Sequence, residues 1–174
     1  DVKSYKDSAE ELALINYTSG TTGFSKGVML PYRALWGNLD FCITTIGTHI
    51  KEGSNTLSIL PMAHMYGMAV EFIFPFCHGC HLFFLTRLPS PAIIAQAFND
   101  VKPAIIISVP LIIEKIIRKS VFPKIQNHRM RLLLNMPVIS KKIKQKICES
   151  VHQALGGNAY EVVVGGAALN QEIE

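Results

Sequence analysis

The stretch AIIISVPLIIEKIIRK, Ala104 to Lys119, carries two periodicities side by side. Ala104 to Ser108 is a short, unbroken apolar run rich in isoleucine, the composition of a strand covered on both faces. Pro110 then opens a segment in which Ile112, Ile113, Ile116 and Ile117 fall on one side of a 3.6-residue repeat, with Lys115, Arg118 and Lys119 on the other. A buried strand followed directly by an amphipathic helix is a βα unit, and repetition of such units builds a parallel sheet.

The same alternation extends in both directions. Apolar runs predict further strands over Leu12–Tyr17, Thr56–Leu60, His81–Leu85 and Tyr160–Val164. After Pro31, the residues Tyr32, Leu35, Trp36, Leu39, Ile43 and Ile46 share one helix face. Ser90 reads as an N-cap with Pro91 at the first helical position, opening a helix through about Asp100. Ser140 is expected to cap a helix whose Ile143, Ile147, Val151 and Leu155 recur every four residues until Gly156 and Gly157 end it. Val121 to Ile139 mixes basic and apolar residues without a period. The predicted fold is α/β, a mostly parallel sheet with helices on both faces, in which residues 1–174 form one unit undivided by repeat or linker.

Composition fits that fold. A chain of 174 residues that is 49% hydrophobic and 17% charged can bury a sizeable core, which excludes disordered and fibrous classes. Its charge-free stretches, Ala104 to Ile113 among them, are shorter than the ~18 apolar residues of a membrane helix. The first residues, DVKSYKDSAEELALINY, lack the basic start and apolar run of a secretory signal, so a cytoplasmic location is expected. The net charge of +4 is unevenly spread: residues 114–146 hold ten Lys or Arg against Glu114, giving +9 there and −5 elsewhere. Such a block suits nucleic acid, an anionic membrane surface or a polyphosphate, against the default of a solvated helix face.

CHGCH, Cys77 to His81, matches the CxxCH pattern of haem attachment. It stands between FIFPF and LFFLT, where cysteine behaves as a small hydrophobe and Gly79 reads as a turn. No second ligand pair follows at a zinc-like spacing, and no metal site is predicted.

The segment that carries chemistry is YTSGTTGFSKGVMLP, Tyr17 to Pro31. Thr18, Ser19, Thr21, Thr22 and Ser25 surround Gly20, Gly23 and Gly27, with Lys26 near the end. Glycines let successive N–H groups turn toward one anion, hydroxyls add donors and the lysine supplies a point charge, which together make a phosphate cradle. The spacing is neither Walker A nor GxGxxG. On composition alone a hairpin loop fits equally well.

The string YTSGTTGFSKGVML closely resembles the phosphate-loop signature of the adenylate-forming superfamily, which includes acyl-CoA synthetases, aryl-CoA ligases, luciferases and nonribosomal peptide adenylation domains. LPMAHMYG (Leu60 to Gly67) resembles its second motif and GGAAL (Gly165 to Leu169) its adenine-wall segment. VPLIIEKI (Val109 to Ile116) is similar to a stretch typical of long-chain fatty acid CoA ligases. The matches fall in the family's order and span nearly the whole chain.

This resemblance implies an enzyme that activates a fatty acid or other carboxylic acid with ATP and Mg²⁺ to an acyl-adenylate, then transfers the acyl group to coenzyme A. It implies that Thr18, Ser19, Gly20, Thr21, Thr22, Gly23 and Lys26 hold the β- and γ-phosphates. His64 would stand at the mouth of the acyl pocket, beside the reacting carboxylate, and Gly165, Gly166 and Ala167 would line the adenine. No nucleic-acid partner is implied, and residues 115–146 offer a surface for peripheral membrane contact. The family's later motifs, a magnesium-binding glutamate, a ribose-binding aspartate and a lysine on a C-terminal lid domain, lie beyond GGAAL. The chain is therefore expected to be part of the large AMP-binding N-terminal domain, without the lid, and inactive alone. The competing expectation is a catalytically silent nucleotide-binding or scaffold module of the same fold.

Overall fold

The structure, a computed structural model, describes residues 8–19, 24–125, 137–171 and 173. β1 (Leu12–Ser19) pairs antiparallel with β2 (Ser25–Pro31), with Thr18 opposite Lys26 and Leu14 opposite Leu30. This hairpin is a sheet of its own, so the run Leu12–Tyr17 does not join the parallel sheet as expected. The reason is connection length: five residues separate the strands, enough for a hairpin but far short of the dozen or so that a parallel crossover needs.

α1 (Tyr32–Phe41) follows Pro31 without a break. It continues through a π-helical turn, Cys42–Ile46, and a 3₁₀ turn, Gly47–His49. Each π-type bond spans one extra residue and rotates the next part of the helix about its axis. Cys42 and Ile46 therefore turn into the core while Ile43 faces outward, which corrects the single face predicted from a 3.6-residue period.

From β3 (Asn55–Ser58) the chain passes through a second π-helical segment, Gly67–Ile73, and α2 (Phe74–Cys77) into β4 (His81–Phe84). α3 (Pro91–Val101) leads to β5 (Ile105–Ser108), then α4 (Pro110–Ser120), α5 (Phe122–Ile125), α6 (Pro137–Ala154) and β6 (Glu161–Val164). The Ser90 hydroxyl accepts the Ile93 N–H at 3.3 Å, the expected cap of α3. α6 begins at Pro137, three residues before Ser140. Proline is pre-set for a first helical position, where its missing N–H would have had no partner.

The four-stranded sheet is parallel throughout, in the order β4–β3–β5–β6. The chain moves one way along the sheet from β3 to β4 and the other way from β4 to β5 and β5 to β6. Right-handed crossovers then place the π-helical segment and α2 on one face and α3, α4 and α6 on the other. The contacts agree: α3, α4 and α6 pack on one another, and the π-helical segment packs on α1. β5 is buried at every position. Phe74 fills one side of the sheet; Ile94, Phe98 and Ile116 fill the other, each no more than 2% exposed. Burying one such side chain contributes about 1.5–3 kcal/mol.

Candidate functional site

The direction of travel reverses between β3 and β5. The loops leaving these neighbours diverge, which opens a crevice beyond their carboxyl ends, the place where open α/β sheets bind ligands. A cavity of about 500 Å³ lies there. Leu60, Pro61, His64 and Tyr66 supply one wall after β3, Val109, Leu111 and Glu114 a second after β5, and Gly166 with Ala167 a third after β6.

His64 is exposed on this wall. Its Nδ1 accepts the Tyr66 N–H at 3.2 Å, so in the neutral ring the proton sits on Nε2, free to donate. Its own N–H donates to the Pro61 carbonyl at 3.0 Å. The Tyr66 hydroxyl donates to the Val163 carbonyl at 3.3 Å, fastening this wall to β6. Burial, with smaller contributions from Glu71 and Cys42, pushes the Tyr66 phenol up. Gly165 serves that packing, because a Cβ there would stand 2.8 Å from the Tyr66 ring. Gly166 has φ +87°, and a Cβ there would meet only Val109, at 3.8 Å, which leaves open space for a flat ring. The Glu114 carboxylate accepts the Asn170 N–H at 3.1 Å and so ties the segment after Ala167 to α4.

The structure thus brings His64, Gly166 and Ala167 around one cavity and sets Gly165 behind Tyr66. Thr18, Ser19 and Lys26 lie at the end of the β1–β2 hairpin, with Thr18 and Lys26 exposed and opposite each other. Gly20, Thr21, Thr22 and Gly23 lie outside the described residues. Among the described residues no cluster of three His, Cys, Asp or Glu side chains is placed to hold a metal ion. Cys77 ends α2, and Gly79, at φ +75°, makes the turn into β4.

Two further residues are not among the expected site residues. Glu114 lies in VPLIIEKI, as the lone acid of the basic block. Glu71 is 2% exposed and accepts hydrogen bonds from the Ser58 hydroxyl at 3.1 Å and the Ile59 and Leu60 N–H groups at 3.1 and 2.8 Å. Its signal is legible in hindsight: a single acid inside the apolar run MAVEFIFPF requires a buried partner.

Comparison with known proteins defines the class. The AMP-binding enzyme family model matches residues 2–174, and the chain belongs to that family. It is 27% identical to the human long-chain-fatty-acid–CoA ligase ACSBG2 over 94% of its own length and 28% of that relative. In structure it is similar to a malonyl-CoA ligase with methylmalonyl-CoA and AMP bound, at TM-score 0.70 and 24% identity, covering 99% of this chain and 31% of that one. It is also similar to the N-terminal domain of FACL13 from Mycobacterium tuberculosis, at TM-score 0.67 and 18% identity, covering 99% of this chain and 35% of that one. The chain spans about a quarter to a third of the proteins it matches.

Proposed function

We propose that these residues form the carboxylate-activating cleft of a cytoplasmic ATP-dependent fatty acid–CoA ligase. The observation that carries this reading is the convergence of His64, Gly166 and Ala167 on one cavity at the point where the sheet reverses. The substrate carboxylate attacks the α-phosphorus of ATP, the bond to the pyrophosphate oxygen breaks, and an acyl-adenylate remains. The thiol of coenzyme A then forms the thioester with loss of its proton, and AMP departs.

His64 Nε2–H would donate to the carboxylate and orient its attacking oxygen. Gly166 and Ala167, having little side chain, let the adenine lie against the backbone. Lys26, Thr18, Ser19 and the glycine-rich residues 20–23 would hold the β- and γ-phosphates, where charge builds on the leaving pyrophosphate. Mg²⁺ bound to those phosphates would supply further charge neutralisation; among the described residues no cluster of three His, Cys, Asp or Glu side chains is placed to hold it. The apolar cavity wall suits an alkyl chain, and the exposed Lys115, Lys119, Lys141, Lys144 and Lys146 on the neighbouring α4 and α6 would rest on an anionic membrane.

The test is pyrophosphate release by the full-length gene product across a panel of fatty acids, with thioester formation measured separately. Release that depends on both ATP and a fatty acid supports the reading. Nucleotide binding without release would leave the silent-module alternative. The 174-residue chain alone is expected to form no acyl-CoA.

A further inference from the structure

The cavity wall bearing His64 is not an element of regular structure. Between β3 and the helical turn that begins at Met65, Ile59 to His64 must hold its shape by other means. Glu71 supplies them. Its carboxylate, aimed back at β3, accepts the N–H groups of Ile59 and Leu60 just where the sheet ladder stops offering partners. Ile59 and Leu60 are buried, at 6% and 9% exposed, so water cannot replace that acceptor. The remaining links are equally short. The Pro61 carbonyl accepts the His64 N–H, the His64 carbonyl accepts the Met68 N–H, and the His64 ring accepts the Tyr66 N–H. Gly67 lies so close that a Cβ would stand 2.6 Å from the Pro61 oxygen. The π-type register contributes too, since bonds such as Phe74 N–H to the Ala69 carbonyl widen the coil that carries Glu71.

We propose that Glu71 is a positioning residue: by accepting the Ile59 and Leu60 amides it closes the segment from Leu60 to Glu71 into a ring and so fixes where the His64 imidazole stands on the cavity wall. The inference rests on the reading of His64 as the group beside the reacting carboxylate. Glu71 itself touches neither cavity nor substrate. Any acceptor of the right length should serve, because the two amides require an oxygen and not a charge.

The test uses the 174-residue chain, labelled for NMR, as wild type, Glu71→Gln and Glu71→Ala. In Glu71→Ala the His64 ring nitrogen signals should move toward those of a free imidazole with mixed tautomers, and the Ile59 and Leu60 amides should exchange at least ~10-fold faster. Glu71→Gln should restore the His64 signals while shifting the Leu60 amide resonance, because a neutral carbonyl replaces a carboxyl. A folded Glu71→Ala chain with unmoved His64 signals would overturn the proposal. Should Glu71→Ala not fold, an unshifted Leu60 amide in Glu71→Gln would overturn it as well. These signals are read without ATP or acid. A gene product that releases no pyrophosphate would sink the ligase reading, and the NMR result for Glu71 would stand independently of it.

Discussion

Glu71 should also make stability depend on pH. Burial pushes its carboxyl from 4.5 up to about 7, against the downward pull of the Leu60, Ile59 and Ser58 hydrogen bonds. Between those two values the folded chain keeps a proton that the unfolded chain has lost. Stability should therefore fall as pH rises from about 4.5 to 7, by on the order of 3 kcal/mol, and Glu71 should add no slope outside that window. Its titrating neighbours Tyr66 and Cys42, both pushed up, stay neutral there. Urea midpoints measured across this range should show the slope in wild type and lose that part of it in Glu71→Gln. Lys26 and His64 are predicted to behave oppositely, affecting chemistry without affecting stability, because both are exposed. In the full-length gene product, Lys26→Ala or His64→Ala should slow adenylate formation by roughly 10- to 150-fold, the worth of one charge-assisted donor, with the melting temperature nearly unchanged. Thioester formation from supplied acyl-adenylate should suffer much less from Lys26→Ala, since pyrophosphate has already left. An equal loss in both half-reactions would assign the lysine another role.

At the scale of elements, the legible ones are those whose pattern is set by burial. β5 and α4 are readable because a four-residue buried strand and a two-faced helix leave different periods in the sequence, and the four parallel strands lie within a residue or two of the apolar runs. β2 is not readable: SKGVMLP is exposed at five of its seven positions and contains glycine, so it leaves no apolar run. The π-helical turns are equally hidden, for one extra residue per bond leaves no composition signal, only a change of face that shows at Ile43. The end of α6 offers a sharp check of turn chemistry. Gly156 has φ +93°, and a Cβ there would stand 2.2 Å from the Phe98 carbonyl oxygen, so both strain and collision oppose a side chain. Gly156→Ala should cost more than the ~1 kcal/mol of an ordinary left-handed alanine and push α6 away from α3, read as a lower urea midpoint. Ser90→Ala, by contrast, should cost about 1 kcal/mol through the lost cap of α3.

For the whole molecule, the distribution of charge yields a further prediction. Roughly 1 kcal/mol per lysine near an anionic surface is available to the exposed face of α4 and α6, so the gene product should co-sediment with phosphatidylserine vesicles at low salt and release as salt rises. Equal recovery with neutral vesicles would remove the idea. Among the described residues no helix is long and apolar enough to cross a membrane. His64, Gly166 and Ala167, each carried by a motif, line one cavity, whereas the bonds of Tyr66 to Val163 and of Glu71 to the Ile59 and Leu60 amides depend on folded geometry. Finally, the β1–β2 hairpin contains no buried residue among those described and packs outside itself mainly on α1. Such a unit contributes little to the cooperative core and can open while the parallel sheet stays intact. In native-state hydrogen exchange its amides should form a separate low-energy foldon, exchanging by a denaturant-insensitive route, while those of β3 and β5 wait for global unfolding. On the proposed reading, grip on the phosphates and integrity of the sheet would then be separable quantities, adjustable in evolution one without the other.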